Sequence, residues 1–397
     1  MINPSASGWV EKYFFERTTF NSCNSKEILY KKIRESGFIF GHIITIQSIP
    51  IQTLIGLKND ELYKIAFLDS LFEMYLIKNP KETDFRIFIA EVISFYELLQ
   101  KKQETFFSKL ISSTHSSKLE SIFNERIQTN KDIISKNFSH IITNALLFID
   151  VLAFEIYLSE KTIPEKYTKK IEEIILTTIS LSLKTKPKKT NNDDLMIRLF
   201  ESSVRYAKFS EINSNNQFEN LNLDYLSNDF ERFYLLDLAN LSIWDDGILE
   251  NEEIYFIHKL GEKLQLKNQW IEDSIDFTSE FITTNKSEIS YFNYSNPVKH
   301  FYDQTTNGVI VLIKRNKVRL TKELIESKEL VSLLAKSTKR ELTKEEKKKV
   351  KKQLLDVCKS IPSLTIFLLP GGGLLLPILV KFIPQLLPSA FNENLED

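Results

Sequence analysis

From Gly56 to Gly247 the chain runs for 190 residues without a glycine, and only Pro80, Pro164 and Pro187 interrupt that stretch. Glycine supplies the positive-φ positions that tight hairpin and strand-to-helix turns require. A sheet-based fold of this length would lack its connections, whereas helix interiors need no glycine at all. The stretch therefore predicts an all-α body, a multi-helix bundle, and local signals divide it. Ser25 to Ser36 reads as one helix stopped by Gly37. Asn59 can cap the next, with Asp60 and Glu61 in its first turn, Leu62, Ile65, Leu68 and Phe72 on one face, and Asn79-Pro80 as the stop.

Residues 141–158 are strongly apolar but contain Thr143, Asn144, Asp150 and Glu155. An aspartate at the centre of a membrane helix costs about 2.5–3.5 kcal/mol. A buried helix of a soluble bundle is the expectation here, with a second membrane span as the alternative. The polar run from Lys184 through Pro187 to Asp194 marks an internal boundary. It separates an N-terminal helical domain, 1–186, from a second helical domain, 195–295.

Charge is sorted along the chain although the total is only −1. Residues 1–308 carry −8, residues 309–360 carry +9, and residues 361–397 carry −2. An acidic body is followed by a basic collar, 297–360, and then by an apolar segment, 361–391. Cys23 and Cys358 are the only cysteines, so the spacing holds neither a disulfide framework nor a cysteine zinc site. The first 20 residues mix charges with aromatics and do not read as a signal peptide. No phosphate loop, nucleophile elbow or metal-protease histidine spacing is present, and nothing argues for an enzyme.

The collar has the clearest local grammar. Leu342-Thr343 followed by Glu346 is a capping box, in which the Thr343 hydroxyl accepts from the Glu346 N–H. The helix it opens places Val350, Leu354, Val357 and Ile361 on one stripe. Lys347, Lys348, Lys349, Lys351 and Lys352 crowd its first half. Two readings fit them. One is a juxtamembrane segment holding anionic lipid headgroups, worth about 1 kcal/mol per lysine near the surface. The other is a phosphate-contacting face for ribosomal RNA, salt-sensitive by counterion release. No DNA partner is expected.

Residues 361–387 are almost wholly apolar, with Lys381 as the one charge. Pro362, Pro370, Pro377, Pro384 and Pro388 punctuate the run and its edge. A helix of 27 residues would reach roughly 40 Å, against a hydrocarbon core of about 30 Å. Seven-residue intervals turn a helix through about 700°, so Pro370, Pro377 and Pro384 fall on one face. Each frees the carbonyl four residues back. Gly371, Gly372 and Gly373 let another backbone approach, and Lys381 can snorkel to the interface. A proline-kinked membrane segment that packs through its proline face, also in a homo-oligomer, is the expectation. A hairpin and a soluble core stay open as alternatives.

Between two amphipathic patterns, 230–240 and 254–264, lies the sequence Trp-Asp-Asp-Gly-Ile-Leu-Glu-Asn-Glu-Glu from Trp244 to Glu253. It reads as a tight turn followed by helix-start acids. The unit resembles the helix–Asp-Gly–helix of TerB-like tellurite-resistance domains, which implies a candidate divalent-cation site at Asp245, Asp246, Glu250 and Glu253. His258 could join it.

Leu342-Thr343, the charged helix, Pro362, Pro370, Pro377, Lys381, Phe382, Pro384, Leu387-Pro388-Ser389 and Phe391 together resemble the LETM family of leucine-zipper and EF-hand transmembrane proteins. The likeness runs from about residue 309 to Phe391. It implies membrane association near the ribosome or in cation and proton homeostasis. In the family an acidic residue stands inside the membrane where Gly371, Gly372 and Gly373 stand here, and a helical ribosome-binding domain follows Phe391. Bacterial relatives are sometimes labelled biofilm-associated. The expected protein is thus a non-enzymatic adaptor anchored in a bacterial inner membrane with residues 1–360 cytoplasmic. A component of a cation or proton transporter and a soluble cation-responsive protein are the alternatives.

Overall fold

A computed structural model describes residues 2–18, 23, 25–82, 84–103, 114–128, 145–187, 189, 194, 197, 218–244, 250–288, 306, 309–310, 312–313, 316–361, 364 and 376–383. Among these residues regular structure is entirely helical, as the glycine gap requires, and no strand occurs. The helices of the body are Trp9–Glu16, Lys26–Glu35, Ile51–Leu54, Asn59–Lys78, Phe85–Gln103, His115–Gln128, Phe148–Glu160, Tyr167–Lys184, Asp229–Ile243, Asn251–Lys263 and Asn268–Asn285. Those of the C-terminal part are Lys317–Glu326, Lys328–Lys339, Lys344–Ser360 and Leu376–Phe382.

Local signals set the boundaries. The Ser25 hydroxyl accepts from Ile28 N at 3.2 Å and opens the Lys26–Glu35 helix. Gly37 closes it at φ 83°. A side chain at Gly37 would also collide with the His42 carbonyl, so shape and conformation both demand glycine. Asn79 ends the Asn59–Lys78 helix, as its Asn-Pro pair predicts. The start differs by one residue from expectation. Lys58 is the cap, and its N–H is satisfied by Glu61 Oε2 at 2.8 Å rather than by Asn59.

Asn59–Lys78 is buried almost all round, between Phe148–Glu160, His115–Gln128 and Lys26–Glu35. Asp229–Ile243 packs most extensively on Tyr167–Lys184 and Asn268–Asn285, and also reaches Lys26–Glu35. Aromatic rings fill the joints, including Phe14 stacked on Phe85 and Phe233 on Trp270.

Charged groups lie inside this core, and each cluster joins separate helices. Asp150 accepts from Arg126 Nε at 2.9 Å and from the Tyr96 hydroxyl at 2.9 Å. The Phe148–Glu160 helix is therefore a core helix whose aspartate is paired. Arg17 bonds both Asp69 and Glu73, and Lys32 reaches Glu73 at 2.6 Å. Asp237 accepts from Tyr30 at 2.6 Å and Ser274 at 2.5 Å. Burial pushes its carboxyl up, against the pull of nearby Arg34. Buried charges tolerate this only when paired and hydrogen-bonded.

Candidate functional site: the basic helix

Lys317–Glu326, Lys328–Lys339 and Lys344–Ser360 pack against one another. Val350, Leu354, Val357 and Ile361 are buried together with Leu320, Leu324, Leu330 and Leu334. The predicted stripe is the packing face. The capping box forms: Glu346 N donates to Thr343 Oγ1 at 3.3 Å, and Thr343 N donates to Glu346 Oε2 at 2.9 Å. Arg340 adds a bidentate pair to the same carboxylate, at 2.6 and 2.8 Å. The Arg340 hydrogen bonds, then the Thr343 N–H, hold Glu346 down at about 2. Nothing in the local capping pattern announces Arg340, which lies outside the helix.

The five lysines do not share one surface. Residues 347–352 span more than a full turn at about 100° each, and their environments divide accordingly. Lys348 and Lys352 are exposed. Lys349 pairs with Glu329 at 2.8 Å, and Gln353 donates to the same carboxylate at 2.6 Å. Lys347 lies 3.9 Å from Glu341. Lys351 is half-buried, in the field of Lys169, Glu172 and Glu173 on the Tyr167–Lys184 helix of the body. Burial first, and Lys169 second, push its ammonium down to about 8, while Glu172 and Glu173 oppose them. Sequence inspection could not find those two glutamates, because they lie nearly 180 residues from Lys351 along the chain.

In the apolar segment, Pro377 falls in the first turn of the seven-residue Leu376–Phe382 helix. There its missing N–H breaks no helical bond. Leu376, Ile378, Leu379, Val380 and Ile383 are buried, and Lys381 is exposed. Pro362, Pro370, Gly371, Gly372, Gly373, Pro384 and Pro388 lie outside the described residues. Among the described residues no helix is long and apolar enough to cross a membrane. The Leu376–Phe382 helix is about 10 Å long, a third of what a span requires.

Glu250 and Glu253 open the Asn251–Lys263 helix, with Glu253 accepting from Glu250 N at 2.9 Å. The helix-start reading of these acids holds. Asp245 and Asp246 lie outside the described residues, and His258 stands 3.6 Å from Glu272. Among the described residues no three histidines, cysteines or carboxylates are grouped to hold a metal.

Residues 342–397 match the family model described as LETM1-like, RBD. The C-terminal segment is thus LETM-like over residues 342–397. The match takes in the basic helix and the whole proline-rich segment. A ribosome-binding domain expected to follow Phe391 is instead the family type matched by this segment itself. No curated protein and no solved structure matches the chain.

Proposed function

We propose that the outer face of the Lys344–Ser360 helix is a phosphate-contacting surface through which the LETM-like segment associates with ribosomes. The helical body acts as a non-enzymatic adaptor carried with it. The observation behind this reading is the exposure of Lys348 and Lys352 on a helix within the LETM1-like, RBD match, the family type being a ribosome-binding domain. Lysine ammoniums are compact point charges suited to backbone phosphates without sequence preference. The capping box and the buried stripe fix the helix, so its outer charges are presented on a rigid support. The test is co-sedimentation with ribosomes across a salt series. Lys348→Gln with Lys352→Gln should weaken binding and reduce the logarithmic salt slope by roughly 2, about one for each phosphate no longer neutralised. An unchanged slope would remove this face from the interaction.

In the same reading, the 361–391 segment associates the protein with a membrane, the inner membrane of a bacterium, with residues 1–360 on the cytoplasmic side. Its apolarity and proline spacing support this. Fractionation of cells expressing the full chain, beside cells expressing a version lacking 361–397, checks it. The full chain should float with membranes and the shortened one should not. A full chain that remains in the soluble fraction after gentle lysis would sink the membrane assignment.

A further inference from the structure

Two donors of the basic helix converge on one carboxylate of the helix before it. Lys349 Nζ lies 2.8 Å from Glu329 Oε1, and Gln353 Nε2 donates to Glu329 Oε2 at 2.6 Å. Their spacing of four residues puts Lys349 and Gln353 on one edge of the Lys344–Ser360 helix, a turn apart. Ser327 fixes the amide: its hydroxyl donates to Gln353 Oε1 at 3.2 Å, which leaves the Gln353 NH2 directed at Glu329. Ser327 and Glu329 belong to the start of the Lys328–Lys339 helix. Both lie outside the LETM1-like, RBD match, whereas the two donors lie inside it.

The arrangement is open to solvent. The Lys349 and Glu329 side chains are 61% and 52% exposed, and ion pairs so exposed exchange readily with water and salt. Glu329 therefore satisfies the donors without committing them. An ammonium and an amide aimed at two oxygens of one anion also match the two non-bridging oxygens of a phosphodiester. Lys349 borders the outer face, one residue after Lys348 and three before Lys352, both exposed.

We propose that Lys349 and Gln353 form a phosphate subsite at the margin of that face, occupied in cis by the Glu329 carboxylate until an RNA backbone phosphate displaces it. The source of that phosphate, ribosomal RNA, rests on the function proposed above. The exchange breaks no covalent bond: one anion replaces another, and the freed carboxylate returns to water. Because Glu329 competes for the donors and repels the incoming phosphate, it sets affinity from outside the matched segment.

Glu329→Gln keeps the shape of the side chain and removes its charge. The full chain with this change should bind ribosomes about two- to five-fold more tightly in co-sedimentation, the range of an exposed ion pair. Lys349→Gln should cost little in the parent, where the cation passes from one anion to another. In the Glu329→Gln background it should abolish most of the gain and lower the logarithmic salt slope by roughly one, as a lost phosphate contact does. A Glu329→Gln protein that binds no tighter would overturn the subsite and leave any ribosome contact standing. A gain equally large without Lys349 would also overturn it, since the charge would then act at long range. Single-stranded polyuridylate in the same series separates the phosphate from its source. A Lys349-dependent gain on polyuridylate, without ribosome co-sedimentation, would support the subsite and remove the ribosome as its ligand. Binding of no variant to either probe would overturn both.

Discussion

The body and the basic helix use charge in opposite ways. In the body, Arg17, Arg126 and Asp150 are buried, and their partners come from other helices. On the basic helix, Lys349 is 61% exposed in its pair with Glu329, and Lys348 and Lys352 stand at the surface. A buried pair is committed: its partners cannot leave without stranding a charge, so it specifies which helices meet. An exposed pair is exchangeable, because water and salt replace either partner at little cost. Lys351 stands between these regimes, half-buried and in the field of Lys169, Glu172 and Glu173 of the body.

The contrast has a strong test and a weak one. Asp150→Ala removes the buried carboxylate that balances the Arg126 guanidinium and accepts from Tyr96. It should cost about 3–5 kcal/mol in denaturant unfolding. Glu329→Gln, measured alongside, should leave the unfolding midpoint where it was. A loss below about 1 kcal/mol for Asp150→Ala, in the range of exposed pairs, would break the distinction.

A smaller effect sharpens it at Lys351. Its folded value of about 8 lies below the ordinary 10.5. Between those values the unfolded chain holds more protons at this site than the folded one. The contribution of Lys351 to stability therefore rises as pH climbs from about 8 to 9.5. Cys23 and Cys358, pushed up by burial, carry the opposite sign in the upper part of that window. The difference between parent and Lys351→Gln isolates the lysine. Denaturant midpoints of the parent should gain on those of the variant with rising pH. A falling difference would mean that burial does not lower the Lys351 ammonium.

Much of the helical grammar is legible in the residues. Missing glycines fix the class, Asn79-Pro80 and Gly37 stop helices, and the Thr343–Glu346 box and its apolar stripe form as read. These are signals within one turn or one helix. The lysine cluster looks like a unit only in one dimension, since consecutive residues on a helix point in different directions. The pairings that sort those lysines are non-local. Glu172 and Glu173 lie amid isoleucines in an ordinary amphipathic pattern, and nothing nearby indicates that a lysine from the basic helix will lie within their field. Arg126 and Asp150 are hidden for the same reason. Composition reveals how much charge must be accommodated, and only the fold assigns its partners.

The Tyr30–Asp237 hydrogen bond joins residues 207 positions apart. Each doubling of a loop costs about 0.6 kcal/mol in closure entropy, so this contact starts about 2–3 kcal/mol behind one spanning ten residues. Helical proteins are usually fast folders because their contacts are local. Here the Lys26–Glu35 helix forms early in the chain, yet its tyrosine meets its acceptor only when Asp229–Ile243 arrives. Assembly of the interior is thereby tied to a late-encoded helix, and a nascent chain truncated before it holds the Tyr30 hydroxyl without its native acceptor.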